Sequence, residues 1–162
     1  MFAVNKYGIM NWDETDKRIL SLLQNNARLS AKEIAAEIGL TVTPTYERLR
    51  RIEQSGVIQN IVALLDRQQL NQKTIAFCNV SLQVHSSKAI QGFEKATKKI
   101  PEIMECYHIT GNYDYLLKVA VKDMNAYQIF LTQKLAIIEN IAQVHTNFVM
   151  TDVKYTTAYV IE

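Results

Sequence analysis

The sequence predicts an α+β chain in two parts, a three-helix unit containing a helix-turn-helix followed by a βαββαβ unit. Three observations carry this: capped amphipathic helices over the first third, a polar stretch from Asp66 to Lys73, and strict two-residue alternation from Thr74 onward.

A chain of 162 residues has room for one ordinary domain or two small ones, and 48% apolar with 21% charged residues is globular composition. No stretch approaches the roughly 18 consecutive apolar residues of a membrane span. The opening MFAVNKYGIMN lacks the apolar core and cleavage site of a secretory signal, so a cytoplasmic location is expected, with no membrane partner. Cys78 and Cys106 have no metal-ligand spacing and read as reduced small hydrophobes. A net charge of +2 is too small to imply nucleic acid by itself, so any such reading rests on local arrangement.

The first helix begins after Asp13, an N-cap, with Asp16 adding negative charge to the first turn. Ile19, Leu22 and Leu23 mark its buried stripe, and Asn25–Asn26 tolerate the left-handed conformation that closes a helix. Ser30-Ala31-Lys32-Glu33 is a capping box, so a second helix starts at Ala31, buries Ile34, Ala35 and Ile38, and stops at Gly39. Thr41 caps a third helix, about Thr43 to Ser55, whose first turn admits Pro44 and which Gly56 ends. Two helices joined by a short Gly-containing turn form a helix-turn-helix, whose second helix lies in a DNA major groove.

On that helix Thr45, Leu49 and Ile52 recur at helical spacing and face the core. The opposite side carries Thr43, Glu47 and Arg50, flanked by Tyr46, Arg48 and Arg51, and these six are the candidate contacts to double-stranded DNA. Guanidinium groups grip phosphate or guanine, and a threonine methyl packs on thymine. The alternative is a solvated face on which the arginines pair with Glu47 and Glu53 three or four residues away. Glu47 repels phosphate but can accept from a cytosine amino group.

Gly56 to Leu64 turns β-rich and reads as a small wing or a linking strand. The expected organisation is a tail over 1–11, a helix-turn-helix domain with linking strand over 12–64, a linker over 65–73 and a second domain over 74–162. In the latter, Ala76, Cys78, Val80, Leu82 and Val84 share one strand face. Ser86 or Ser87 caps a helix with Ile90, Phe93, Thr97 and Ile100 in a stripe, ended by Pro101. A strand from Ile103 to Ile109, a turn at Gly111-Asn112-Tyr113-Asp114 and a strand from Tyr115 to Val121 make a hairpin. Asp123 caps a helix burying Met124, Tyr127, Leu131, Leu135 and Ile138, and Ala142 to Met150 is the last strand. The order is the ferredoxin-like split arrangement, with helices on one sheet face. Ile75, Phe77, Tyr107 and Val149 fall on the other face, where sheet-to-sheet dimerisation would bury them; a shifted register would make them core instead.

No nucleophile elbow, P-loop, dinucleotide fingerprint or HExxH motif occurs, so the chain is not read as an enzyme and no cofactor is expected. His85, His108 and His145 are scattered over strands; they would hold a metal only by converging, and no metal site is assigned. A rival to DNA binding is a small-molecule-binding or assembly module without direct DNA contact.

Four motifs in order and spacing resemble the Lrp/AsnC, or feast/famine, regulators: Asp13-Glu14-Thr15-Asp16 with Ile19-Leu20; Asn26 to Ser30; Arg48 to Ile58; and the hairpin Thr110 to Tyr115. The likeness runs from Trp12 almost to the end. It implies a transcriptional regulator with a winged or plain helix-turn-helix and a ferredoxin-like effector domain, dimers built through that domain and often octamers. It also implies an amino acid or related metabolite bound between dimers, with the Gly111 to Asp114 turn lining the site. Independently of the likeness, amides exposed by a glycine turn can hold a carboxylate, and Asp114 can pair with an α-ammonium. The expected effector set is His108, Gly111, Asn112, Tyr113 and Asp114. Glu47 departs from the basic residue of many relatives, so no operator sequence is carried over; Met10 competes with Met1 as the start.

Overall fold

The structure, a computed structural model, describes residues 11–162. The two candidate starts, and all of the expected tail but Asn11, lie outside the described residues. The chain divides into two compact units, one running to Ala63 and taking back Lys154–Glu162, the other Leu64–Val153.

In the first unit α1 (Glu14–Asn25), α2 (Ala31–Ile38) and α3 (Val42–Ser55) are cut by their caps. Asp13 Oδ1 accepts from the Asp16 amide at 2.8 Å. The Ser30–Glu33 capping box forms in both directions, the Glu33 amide donating to Ser30 Oγ at 3.3 Å and the Ser30 amide to Glu33 Oε2 at 2.7 Å. Gly39, at φ 76°, sits in the left-handed region and turns the chain sharply from α2 towards α3. Asn26 closes α1 in extended backbone, φ −150°, instead of the left-handed form expected. Thr41 occupies the N-cap of α3 without a side-chain bond. The first turn is held instead by Thr45 Oγ1, which donates to the Thr41 carbonyl at 2.9 Å.

Ile19, Leu20, Ile34, Ile38 and Ile52 form the core of this unit, with Trp12, Leu22, Leu23, Leu29, Leu49, Ile58 and Ile161 packed around it. Each fully buried isoleucine contributes about 1.5–3 kcal/mol by leaving water. Leu20 thus takes the deep position on α1, and the expected Leu22 and Leu23 are half-buried. The returning tail is fastened by a reciprocal pair: the Tyr159 amide donates to Gln24 Oε1 at 2.7 Å and Gln24 Nε2 to the Tyr159 carbonyl at 3.1 Å. Residues 154–162 therefore pack with the helices and not with the sheet unit to which 74–162 was assigned. Among the described residues no strand precedes Thr74, so Gly56 to Leu64 forms neither wing strand nor linking strand. Among the described residues this β-rich segment has no second backbone to pair with.

The second unit is one antiparallel sheet in the order β2-β3-β1-β4, where β1 is Thr74–Leu82, β2 Ile103–His108, β3 Tyr115–Val121 and β4 Ile141–Phe148. With α4 (Ser87–Thr97) after β1 and α5 (Met124–Phe130) after β3, this is the expected βαββαβ order. Ala76, Cys78, Val80 and Leu82 pack with Leu117, Val119, Phe93, Tyr127, Phe130 and Leu135 in its core. Asp123 caps α5, but the helix then widens into a π-helical turn, Leu131–Leu135, in which the Ala136 amide donates to the Leu131 carbonyl at 2.9 Å. On α5 itself Tyr127 and Phe130, three residues apart, are buried, and the expected Met124, at the first residue of the helix, is exposed. On the opposite sheet face the register places Ile75 beside Ala120, Phe77 beside Lys118 and Tyr107 beside Leu116, and the Val149 amide extends the ladder to the Ile75 carbonyl. None of Ile75, Phe77, Tyr107 and Val149 belongs to the helix-covered core. Cys78 and Cys106 are free thiols, and burial pushes both up.

Candidate nucleic-acid interface and ligand turn

Thr45 and Ile52 are completely buried and Leu49 half-buried, which orients α3 as its apolar spacing predicts. Thr43, Tyr46, Glu47 and Arg50 are exposed on the other side. The three arginines, however, part company. Arg48 Nη1 donates to Asp13 Oδ2 at 2.6 Å and to Asp16 Oδ1 at 2.7 Å, and Arg51 Nη2 donates to Asp16 Oδ2. Asp16 has a side chain only 2% exposed, so both of its oxygens are consumed where water is excluded. A buried carboxylate is tolerated only when paired and fully hydrogen-bonded, and two guanidinium groups meet that condition. Asp13 lies below the usual carboxylate range through the Asp16 amide and Arg48, and Arg48 is raised by Asp13 and Asp16 in turn.

Arg48 and Arg51 therefore tie α3 to α1, and of the three only Arg50 has no ion pair among the described residues. The pairing with Glu47 and Glu53 considered from sequence does not occur there either. Asp13 and Asp16 are what the sequence reading missed as partners. A signal was present: two acids one helical turn apart face two arginines one turn apart, each matched pair separated by 35 residues.

The Gly111 to Asp114 turn, the candidate effector site, is held differently. Gly111 adopts φ 118°, a conformation that side chains resist. The Asp114 amide donates to the Val80 carbonyl and the Ile109 amide to the Asp114 carbonyl, both at 2.9 Å, so the turn is anchored on β1. The Asp114 carboxylate accepts from the Leu82 amide at 2.7 Å through Oδ2 and meets His85 Nε2 at 2.8 Å through Oδ1. The Leu82 amide first, then His85 and the nearby His108, hold Asp114 below the usual carboxylate range. His108 stacks on Tyr115 with ring centroids 4.8 Å apart, and Tyr113 lies 6.2 Å from the His145 ring. All five expected effector residues therefore lie along one hairpin, and His85 and His145 join them. Sequence periodicity had no means of aiming those two histidines at the turn. Asp114 already binds its own chain through both oxygens, though each keeps a further acceptor position. Among the described residues no three His, Cys, Asp or Glu side chains gather as a metal would require.

A groove of about 810 Å³ opens elsewhere, between α4 and the segment that follows α5. Phe93, Ala96 and Ile100 line one side and Ile137 and Ile138 the other, and it includes none of the expected effector residues.

Residues 75–159 match the Lrp/AsnC ligand binding domain, and residues 13–59 match the winged helix-turn-helix DNA-binding family. The chain is 37% identical over 146 residues to the Bkd operon transcriptional regulator of Pseudomonas aeruginosa, covering 90% of this chain and 95% of that protein. It is 36% identical over 150 residues to the leucine-responsive regulatory protein of Klebsiella pneumoniae, covering 93% and 92%. Among solved structures, a transcriptional regulator from Neisseria meningitidis in complex with L-methionine superposes with TM-score 0.89 at 32% identity over 93% of this chain and 97% of that one. An AsnC family regulator from Agrobacterium tumefaciens gives TM-score 0.88 at 36% identity, over 92% and 97%. No helix among the described residues is long and apolar enough to cross a membrane. A helix-turn-helix with a satisfied apolar face, a ferredoxin-like unit after it in the chain and two domain matches in that order make one assignment: the chain belongs to the Lrp/AsnC family of DNA-binding transcriptional regulators.

Proposed function

We propose that this regulator reads DNA through Thr43, Tyr46, Glu47 and Arg50, and that Arg48 and Arg51 serve the reading helix from behind without touching the duplex. The observation that carries this is the division of α3 into a buried face, a flank tied to Asp13 and Asp16, and an exposed polar face. Only the last is available to a base edge. In a gel shift on the DNA upstream of its own gene, Arg50→Ala loses about tenfold or more in affinity while keeping its oligomeric mass. Undiminished binding by that variant would remove α3's outer face from the interface.

The effector is an α-amino acid held at the Gly111 to Asp114 turn. The amides of Gly111, Asn112 and Tyr113 make no hydrogen bond among the described residues, which leaves three donors for a carboxylate. The free acceptor positions of Asp114, with His108 nearby, suit the ammonium end. The methionine complex of the Neisseria relative supports this class of ligand without naming the ligand here. Homodimers form through the sheet face carrying Phe77 and Tyr107, and octamers from those dimers, in the cytoplasm. Exposed Ile61, Val62, Leu64 and Leu65, at 66–71% exposure, are further apolar surface that a second copy would cover.

A further inference from the structure

We infer that Asp16, with Asp13, is a specificity-determining residue that withholds Arg48 and Arg51 from the DNA backbone, so that the reading helix binds through its outer face and not through diffuse charge. This rests on the reading of α3 as the DNA-contacting helix. Three arginines in four positions would give any sequence of DNA a strong electrostatic hold, because phosphate contacts are blind to sequence and grow with each cation that displaces a counterion. Here two of the three are neutralised inside the protein. Asp16 is 1% exposed and holds both, Arg48 through Oδ1 and Arg51 through Oδ2, while Asp13 adds a second contact to Arg48. The two guanidinium groups remain 28% and 36% exposed, so they border solvent and would be free to swing outward if released. What remains on the outer face is Arg50 beside Glu47, close to charge balance, with Thr43 and Tyr46 for contacts that depend on the base. The device weakens binding to arbitrary DNA and leaves base-dependent contacts intact, which widens the ratio that selects an operator.

The test is the salt dependence of binding of the full-length protein to a fluorescently labelled duplex of random sequence, measured by anisotropy. In Asp16→Asn the slope of log affinity against log salt steepens by about 0.9 for each arginine that reaches a phosphate, and two such contacts add about twelvefold to the gain between 200 and 50 mM salt. A purely structural role would weaken binding or leave the slope where it was; a folded Asp16→Asn protein with an unchanged or shallower slope overturns the inference. If that variant does not fold, Arg51→Gln decides, since Arg48 still satisfies Asp16. Its slope equals that of the wild type if Arg51 is withheld, and falls by about 0.9 if Arg51 already binds phosphate, which overturns the inference equally. Arg50→Gln, run alongside, reports on the reading of α3 itself: it lowers the slope if that face meets the duplex, whichever way the Asp16 variant moves.

Discussion

The two units each hold one carboxylate at the heart of a candidate functional region, and they hold it by different means. Asp16 is buried among charges and anchors one helix to another, whereas Asp114, 23% exposed, is fixed by the Leu82 amide and His85 at the end of a strand. The first is a closed ion-pair cluster with both oxygens consumed. The second keeps solvent access and spare acceptor capacity. A carboxylate that only positions machinery can be sealed; one proposed to meet a ligand has to stay reachable.

The largest expected effect breaks the sealed side. Asp16→Ala leaves Arg51 without a counterion and Arg48 with Asp13 alone, both facing a hole, and removing one partner of a buried pair costs about 3 kcal/mol or more. Urea unfolding followed by far-UV circular dichroism would read this as an early transition of the helical unit. A loss below about 1 kcal/mol would mean that water reaches the cluster and that the contrast with Asp114 is false.

Next comes a pH limit confined to the sheet unit. Burial pushes the Tyr127 hydroxyl up to about 12, against an ordinary value of 10.0, and it shares a 2.5 Å contact with Thr146 Oγ1. The folded state therefore keeps this proton over a range where the unfolded chain loses it. Its contribution is fully present below pH 10 and is lost as pH rises towards 12. A difference of that size between the folded and unfolded chain is worth roughly 2–3 kcal/mol. Tyr127→Phe should flatten that alkaline decline; an unchanged decline assigns it to other groups.

How much of this was legible from sequence follows the range of each interaction. The Ser30–Glu33 capping box, the Gly39 stop and the alternation of Ala76, Cys78, Val80 and Leu82 are set by near neighbours and appear where the residues say they should, whereas Val84 lies past the end of β1 and is exposed. The Arg48–Asp16 bond joins residues 32 apart and the Gln24–Tyr159 pair residues 135 apart, and no local periodicity reports either. For the same reason the arginines looked like a basic patch, and residues 154–162 looked like the end of the sheet unit. The π-helical turn was illegible because an α-helical stripe fits Leu131, Leu135 and Ile138 almost as well as the wider turn does. The β-rich Gly56 to Leu64 segment shows the reverse failure: composition promised a strand, and a strand needs a partner backbone. At the proposed effector turn the glycine and Asp114 were readable as chemistry, but the carboxylate's bonds to Leu82 and His85 were not.

A smaller effect tests the open side. Asp114→Ala removes the acceptor for the Leu82 amide and costs about 1–2 kcal/mol, within the range for a partly exposed hydrogen bond. It should also abolish any thermal shift caused by amino acids. Because Asp114 is held below its ordinary 3.8, its contribution persists down to that pH and disappears as pH falls further through the folded value. Ligand-induced shifts equal to those of the wild type would leave Asp114 a purely structural residue and make the two carboxylates alike.

The smallest effect separates charge from capping at the edge of the sealed cluster. Asp13 does two jobs, accepting the Asp16 amide through Oδ1 at 2.8 Å and pairing with Arg48 through Oδ2. Asparagine caps helices about as well as aspartate, so Asp13→Asn keeps the first job and deletes the charge from the second. The side chain is 51% exposed, and an exposed ion pair is worth about 0.5 kcal/mol or less. The difference should vanish at acid pH, since the wild-type carboxylate, held below 3.8, contributes above that value and loses its contribution as pH falls through its lowered one. Stability curves of the two proteins therefore converge as pH falls through the lowered value of Asp13 if the aspartate acts there as a charge, which keeps it in the ion-pair cluster beside Asp16. Curves separated by a constant offset at every pH would instead place the effect in the helix cap, and the ion-pair cluster would then end at Asp16.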